Sequence, residues 1–288
     1  MTLMQNRKEI ASMPDQAHGL RNLMQRFALS SRRDLHTQPR VVVLTGAKGG
    51  VGTTSIAVNV AAALSTHGHR TVLVDADLTG ANIALQCGID AEHSIGDILT
   101  GARSIHEILQ TGPGGMLVVP GAWAPDHEAE LTENHHQRMI HQVQSLGRHA
   151  DYVVVDSGSG CSQVAASFWS ASDVAIVVTT TDAIAIMDAY ATIKLLHKRQ
   201  PDAHVALLIN QAPNAAAAEE VFQRIDHSCR RFLALQPEYL GHVGACSQLA
   251  LGSQCGMPVS LQSPHSAAAQ AVDRIVDRLS PAASTAAA

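Results

Sequence analysis

The chain has 288 residues, a formal charge of -5 at neutral pH and 46% hydrophobic side chains, enough for one large core and too acidic for a general pull towards nucleic acid. Aromatic residues make up only 3%, so the core has to be built from Ala, Val, Ile and Leu, which suits a parallel sheet buried on both faces. Five cysteines, odd in number and without a C-x-x-C spacing, argue against a disulfide framework or a zinc site and for reduced thiols in the cytoplasm.

In chain order, residues 1–39 read as a polar arm. Within it Leu20, Leu23, Met24 and Phe27 recur at i, i+3, i+4 and i+7, one apolar stripe on a helix over about residues 12–28 that Ser12 can cap. The stripe suits either a helix docked on the domain or a detachable partner-binding element. No signal-peptide core precedes it, and no apolar run approaches the ~18 residues of a membrane span. The expectation is a soluble cytoplasmic protein.

From Arg40 the rhythm is strand, then helix, and residues 40–280 read as one domain. Val41–Leu44 is a β-branched strand, followed by the glycine-rich turn Ala47–Ser55 and the helix-forming run Ile56–Leu64. Further buried strands are expected at Thr71–Val74, Met116–Pro120, Tyr152–Asp156, Asp173–Val178 and Val205–Ile209, with a short one near Tyr239–Val243. Helices are expected at Ile184–Lys198, Glu219–Ile225 and Ala267–Leu279, and the small, uncharged tail 281–288 is expected to be disordered. Such alternation implies a single doubly wound, mostly parallel α/β sheet flanked by helices, with the ligand beyond the strands' carboxyl ends. The glycine-rich turn, Asp75, Asp77 and Asp156 all fall at such ends.

The turn has the chemistry of a phosphate site. Glycines let backbone N–H groups face an anion, and the following helix N-terminus adds partial positive charge. Thr53 stands where the motif G-x-x-x-x-G-K-[ST] has its lysine, Thr54 keeps the hydroxyl that holds Mg²⁺, and Lys48 sits at the front of the loop. Asp156, followed by Ser157-Gly158-Ser159-Gly160, can bind the water shell of Mg²⁺ while the glycines sense a γ-phosphate. Asp75 and Asp77 are two apart, so on an extended strand end they point the same way and can hold metal-bound water and orient the attacking water. The plain alternatives are a common Asp-Ser-Gly turn and a solvated strand end. His135, His136 and His141 lack a carboxylate or cysteine at ligand spacing and read as solvated surface residues. Trp123 and Trp169 read as packing residues, and Ser159 and Ser162 have no base for a hydrolase triad.

The run Lys48-Gly49-Gly50-Val51-Gly52-Thr53-Thr54-Ser55 resembles the deviant phosphate loop of the MinD/ParA class of dimeric ATPases. The resemblance implies a P-loop NTPase fold, ATP and Mg²⁺ as ligands, and a homodimer formed on ATP. It implies that these eight residues bind nucleotide, that Lys48 crosses to the partner's nucleotide, and that Asn210 borders the adenine. It also places Thr54, Asp75 and Asp156 at the metal and makes Asp77 the hydrolytic carboxylate.

Within that class the chain resembles the flagellar-number regulators of the FlhG type, also called FleN or YlxH. Asp15-Gln16-Ala17-His18-Gly19-Leu20-Arg21 is similar to their N-terminal D-Q-A-x-x-L-R element, Asp75-Ala76-Asp77 with Ala81-Asn82 to their first switch, and Thr179–Ala183 with Asp188–Lys194 to the segment after the second. This resemblance implies that Asp15, Gln16, Ala17, Leu20 and Arg21 stimulate an FlhF-type GTPase of the signal-recognition-particle class, Gln16 acting near that partner's nucleotide. It further implies flagellar switch (C-ring) proteins or a flagellar transcription regulator as partners, and recruitment to the cell pole or flagellar base. Two departures qualify it. Thr53 removes a phosphate-site cation, which implies weak or impaired hydrolysis and leaves open a non-hydrolysing nucleotide-bound scaffold or a pilus-assembly localisation protein of the same class. Val272–Leu279 alternates Asp with Arg, so its polar face carries no net positive charge, which argues against ATP-dependent membrane attachment.

Overall fold

The computed structural model describes residues 38–122 and 132–279. The expected arm helix with Asp15, Gln16, Ala17, Leu20 and Arg21, the packing residue Trp123 and the tail 281–288 lie outside these residues.

Among the described residues eight strands form one sheet: β1 Arg40–Gly46, β2 Thr71–Asp75, β3 Gln110–Thr111, β4 Leu117–Val119, β5 Tyr152–Ser159, β6 Val174–Thr179, β7 Val205–Ala212 and β8 Glu238–Gly244. Their spatial order is β3-β4-β2-β5-β1-β6-β7-β8, and every pair is parallel except β3 with β4. Branched residues stiff at χ1 favour the pleated backbone, and both faces of the central strands are buried. In β1, Val41 and Val43 enter one core while Val42 and Leu44 enter the other. The same alternation places Val153 and Val155 opposite Val154 in β5, and Leu207 and Ile209 opposite Leu208 in β7.

Helices cover the two faces separately. On the Val42 face lie α1 Thr53–Thr66, α2 Ile83–Gln86 and, from the end of the chain, Ser247–Gln254, Val259–Gln262 and Ala267–Leu279. On the Val41 face lie α3 Ile95–Thr100, α4 Ile105–Ile108, α5 Glu133–Gln144, α6 Gln163–Ser170, α7 Ala183–Arg199 and α8 Ala215–Leu233. In chain order the last three helices are α9, α10 and α11. Ala57, Ala61, Ala62 and Ala63 of α1 are fully buried, small side chains that bring its axis close to the sheet. Buried Asn59 donates from Nδ2 to Ser55 O (2.7 Å) and accepts at Oδ1 from Val259 N (2.8 Å), which ties α10 to α1. Trp169 is a packing residue, fully enclosed in α6.

The structure corrects several expectations. β5 does not end at Asp156 but continues through Ser159 with a register shift against β1, and β7 continues past Ile209, so Asp156 and Asn210 lie inside strands. Strand β3 is two residues long, too short to leave a period in the sequence, and forms by folding back on β4 across Pro113–Gly115. His136 is not a surface residue: it is 3% exposed and belongs, with Met139 and Val143, to the stripe that α5 buries.

Candidate functional site

The carboxyl end of β1 opens directly into the glycine turn, and α1 begins at Thr53. Gly50 (φ 83°) and Gly52 (φ 87°) occupy the left-handed region that side chains disfavour, which is what folds the loop around a central space. Gly52 is also the N-cap of α1, with no side-chain cap and no acidic residue in the first turn. The start of α1 therefore presents the positive end of its dipole to an anion with no acidic side chain opposing it.

A cavity of about 240 Å³ lies over this turn, lined by Lys48, Gly49, Gly50, Gly52, Thr53, Thr54 and Ser55 on one side and by Asp77, Asn82, Gln86, Gly158 and Ser159 on the other. Among these residues Lys48 is the only cation. Its Nζ pairs with Asp182 Oδ2 at 2.7 Å, and Asp182 is the N-cap of α7, accepting from Ile184 N at Oδ1 (2.7 Å). The lysine lowers the pKa of the Asp182 carboxyl, and the Ile184 N–H adds to the effect. Thr53 is 6% exposed, and its hydroxyl is turned back on Gly46, where it fills the place a Cβ would need.

The three aspartates take different positions. Asp77 faces the cavity. Its Oδ1 accepts from Thr79 N, Thr79 Oγ1 and Gly80 N (3.0, 2.7 and 2.9 Å), and its Oδ2 faces Gly158. Asp156 is fully buried at the register partner of Asp75. Its Oδ1 accepts from Gly158 N (3.1 Å) and its Oδ2 has no hydrogen-bond partner. Burial raises its pKa to about 6, against the pull of the Thr54 hydroxyl and the Gly158 N–H.

Asp75 does not point the way Asp77 does. Strand β2 ends at Asp75, so the two-residue period stops there. The Asp75 carboxylate turns inward, 1% exposed, and accepts from Asp77 N (3.2 Å) and Ile83 N (3.0 Å). It thereby closes the segment that presents Asp77 and does not line the cavity. Burial, and then the charge of Asp156, raise its pKa to about 7.

Val51 and Asn210 also stand behind the loop. Val51 is 1% exposed, and its carbonyl accepts from Asn210 Nδ2 (2.8 Å). The Asn210 side chain is 5% exposed and its Oδ1 accepts from Gln211 N (2.9 Å), so its amide serves the loop and not an open base edge. Three contributors were not singled out from sequence. Asp182 falls within the Thr179–Ala183 run but with no local sign of its pairing with Lys48, Gln86 meets the Ser55 hydroxyl (3.3 Å) four residues after Asn82, and Gln211 leaves no local signal. Among the described residues no group of three or more His, Cys, Asp or Glu is arranged to hold a metal ion by itself. None of their helices is long and apolar enough to cross a membrane.

A family model described as ParA, NUBPL iron-transfer P-loop NTPase, matches residues 37–280. The chain is 32% identical to the antiactivator FleN of Pseudomonas aeruginosa over 70% of this chain and 72% of that protein. It is 27% identical to the flagellum site-determining protein YlxH of Helicobacter pylori, over 93% and 90% respectively. Among solved structures, the septum site-determining protein MinD of Pyrococcus horikoshii, complexed with Mg-ADP, superposes with a TM-score of 0.69 at 22% identity, covering 84% of this chain and 96% of that one.

Proposed function

Because the chain belongs to the ParA/MinD family of P-loop NTPases, we propose that it is an ATP-binding regulator of flagellar number and placement in which Mg-ATP closes a homodimer and slow hydrolysis opens it. The observation that carries the nucleotide reading is the unpartnered, fully buried Asp156 Oδ2 next to Thr54, beneath a glycine turn whose helix N-terminus is uncapped. A buried carboxylate oxygen without a donor is costly, and a cation shell relieves it.

These residues fit Mg²⁺: Thr54 would hold it directly and Asp156 through water. Bound there, the ion supplies charge that offsets the β- and γ-phosphates. The chain's own groups supply the rest. Backbone N–H groups from Gly49 to Thr54 and the start of α1 take phosphate oxygens. Asp77 Oδ2 accepts a hydrogen bond from the attacking water, with Gly158 leaving it room. Lys48 exchanges Asp182 for phosphate, from its own subunit or across the dimer. Ile184 (62% exposed) and Met187 (72%) on the first turns of α7, with Leu85 (72%) on α2, are apolar surface near the cavity that a second copy can cover.

The flagellar part rests on FleN and YlxH. It carries the expected partners with it: an FlhF-type GTPase engaged through Asp15, Gln16, Ala17, Leu20 and Arg21, and C-ring proteins or a flagellar transcription regulator, at the cell pole or flagellar base. No direct nucleic-acid contact is expected, and the alternation of Asp with Arg over Val272–Leu279 argues against membrane attachment. Thr53 favours a second reading, a scaffold that holds ATP without hydrolysing it. The test is genetic. Deleting the gene changes flagellar number per cell, counted by electron microscopy; the wild-type chain restores it, and Lys48→Ala or Asp77→Ala does not. Unchanged flagella in the deletion strain refute the reading.

A further inference from the structure

Gln211 is used by none of the contacts assigned so far to nucleotide. It is exposed and holds φ at 55°, a conformation a residue other than glycine keeps only when its surroundings impose it. Two contacts do so. Its backbone N–H donates to Asn210 Oδ1 (2.9 Å), and its side-chain Nε2 donates to the carbonyl of Gly50 (3.4 Å). Asn210 Nδ2 in turn donates to the carbonyl of Val51 (2.8 Å). Two adjacent carboxamides at the end of β7 thus hold the carbonyls of two adjacent loop residues. The fit is close: a Cβ on Gly52 would lie 2.5 Å from Asn210 Nδ2.

In a trans peptide the C=O and the following N–H point in opposite directions. Drawing the Gly50 and Val51 carbonyls towards β7 therefore turns the N–H groups of Val51 and Gly52 the other way. In a loop with a lysine at the Thr53 position, an ammonium also helps fix the phosphate end. Here the Thr53 hydroxyl is turned back on Gly46. We propose that Asn210 and Gln211 form a brace that aims the Val51 and Gly52 N–H groups at phosphate, with Gln211 the positioning residue through which a loop lacking its lysine still binds it. This inference rests on the nucleotide reading above.

The test separates a phosphate brace from a base contact. Mg-ATP and magnesium pyrophosphate, which has no base, are titrated calorimetrically into the wild-type chain, Gln211→Gly and Gln211→Lys. Glycine removes the carboxamide while relaxing φ, so the fold is spared; lysine keeps an N–H donor of similar reach. The expected result is that Gln211→Gly weakens both ligands by the same factor, roughly several-fold for one exposed hydrogen bond, while Gln211→Lys, which keeps a donor and adds a cation, binds both at least as tightly as the wild type. Weakening of Mg-ATP alone assigns Gln211 to the base or ribose and overturns the brace. Unchanged binding of both ligands by Gln211→Gly overturns it as well. A wild-type chain that binds neither ligand overturns the nucleotide reading and the brace together, a pattern distinct from the other two.

Discussion

Restoring the missing cation by Thr53→Lys has a magnitude that follows from the site. The cavity has one cation in its lining, and that lysine is held by Asp182 at 2.7 Å. A lysine at position 53 starts beside Gly52 and Thr54, both of which line the same cavity of about 240 Å³, so its ammonium can extend into open space and reach the phosphate end. An ammonium ~4 Å from a phosphate charge, at an effective dielectric of ~20, interacts by ~4 kcal/mol. Measured losses of one positioned transition-state donor run from ~2.7 to ~4 kcal/mol. Taking ~3 kcal/mol, Thr53→Lys raises the hydrolysis rate about a hundredfold. The assay is phosphate release in a single turnover, the chain in excess over Mg-ATP and above its Kd, with ATP affinity and thermal unfolding measured on the same preparations. A variant that folds and binds ATP as the wild type does, yet releases phosphate no faster, refutes the argument that the missing charge limits hydrolysis.

The other predictions concern the carboxylates, the switch and the arm. Asp75 and Asp156 have pKa values raised to about 7 and about 6, so the folded chain without metal binds protons more tightly than the unfolded chain. Their contribution to stability is greatest below the ordinary carboxylate pKa and is lost as pH rises through about 7, by an amount on the order of a few kcal/mol. In urea unfolding from pH 5 to pH 8, Asp75→Asn and Asp156→Asn should flatten that decline; profiles parallel to the wild type contradict the assignment. Gly158 (φ 70°) would place a Cβ 2.5 Å from Asp77 Cγ, so Gly158→Ala should abolish phosphate release while ATP affinity stays within a few-fold. Asp182→Ala frees Lys48 from its ion pair and should tighten ATP binding several-fold and promote the dimer, read by calorimetry and light scattering. Gln16→Ala should lose stimulation of an FlhF-type GTPase with ATP binding unchanged; intact stimulation removes the role assigned to the arm.

Much of the sheet was legible because its strands are buried on both faces and read as unbroken runs, from Val41–Leu44 to Val205–Ile209. The loop was legible because its glycines and hydroxyls are contiguous. What escaped was tertiary. Asp182 meets Lys48 across 134 residues, and Gln211 meets Gly50 across 161, separations at which one sequence carries no pairing information. Asp75 departs from the direction of Asp77 because strand alternation stops at the end of β2, where the N–H groups of Asp77 and Ile83 capture the carboxylate. Residue type alone points His136 to the surface, whereas its place on the α5 stripe with Met139 and Val143 decides its burial.

The central claim is that this glycine turn, with its uncapped helix and the buried Asp156, is a working Mg-ATP site in spite of Thr53. Calorimetric titration of the purified chain with ATP, in magnesium and again in EDTA, tests it most directly. The account predicts saturable one-site binding in magnesium that weakens at least about tenfold in EDTA, the difference carried by Thr54 and Asp156. Absence of binding in magnesium, or equal affinity with and without the metal, would contradict it.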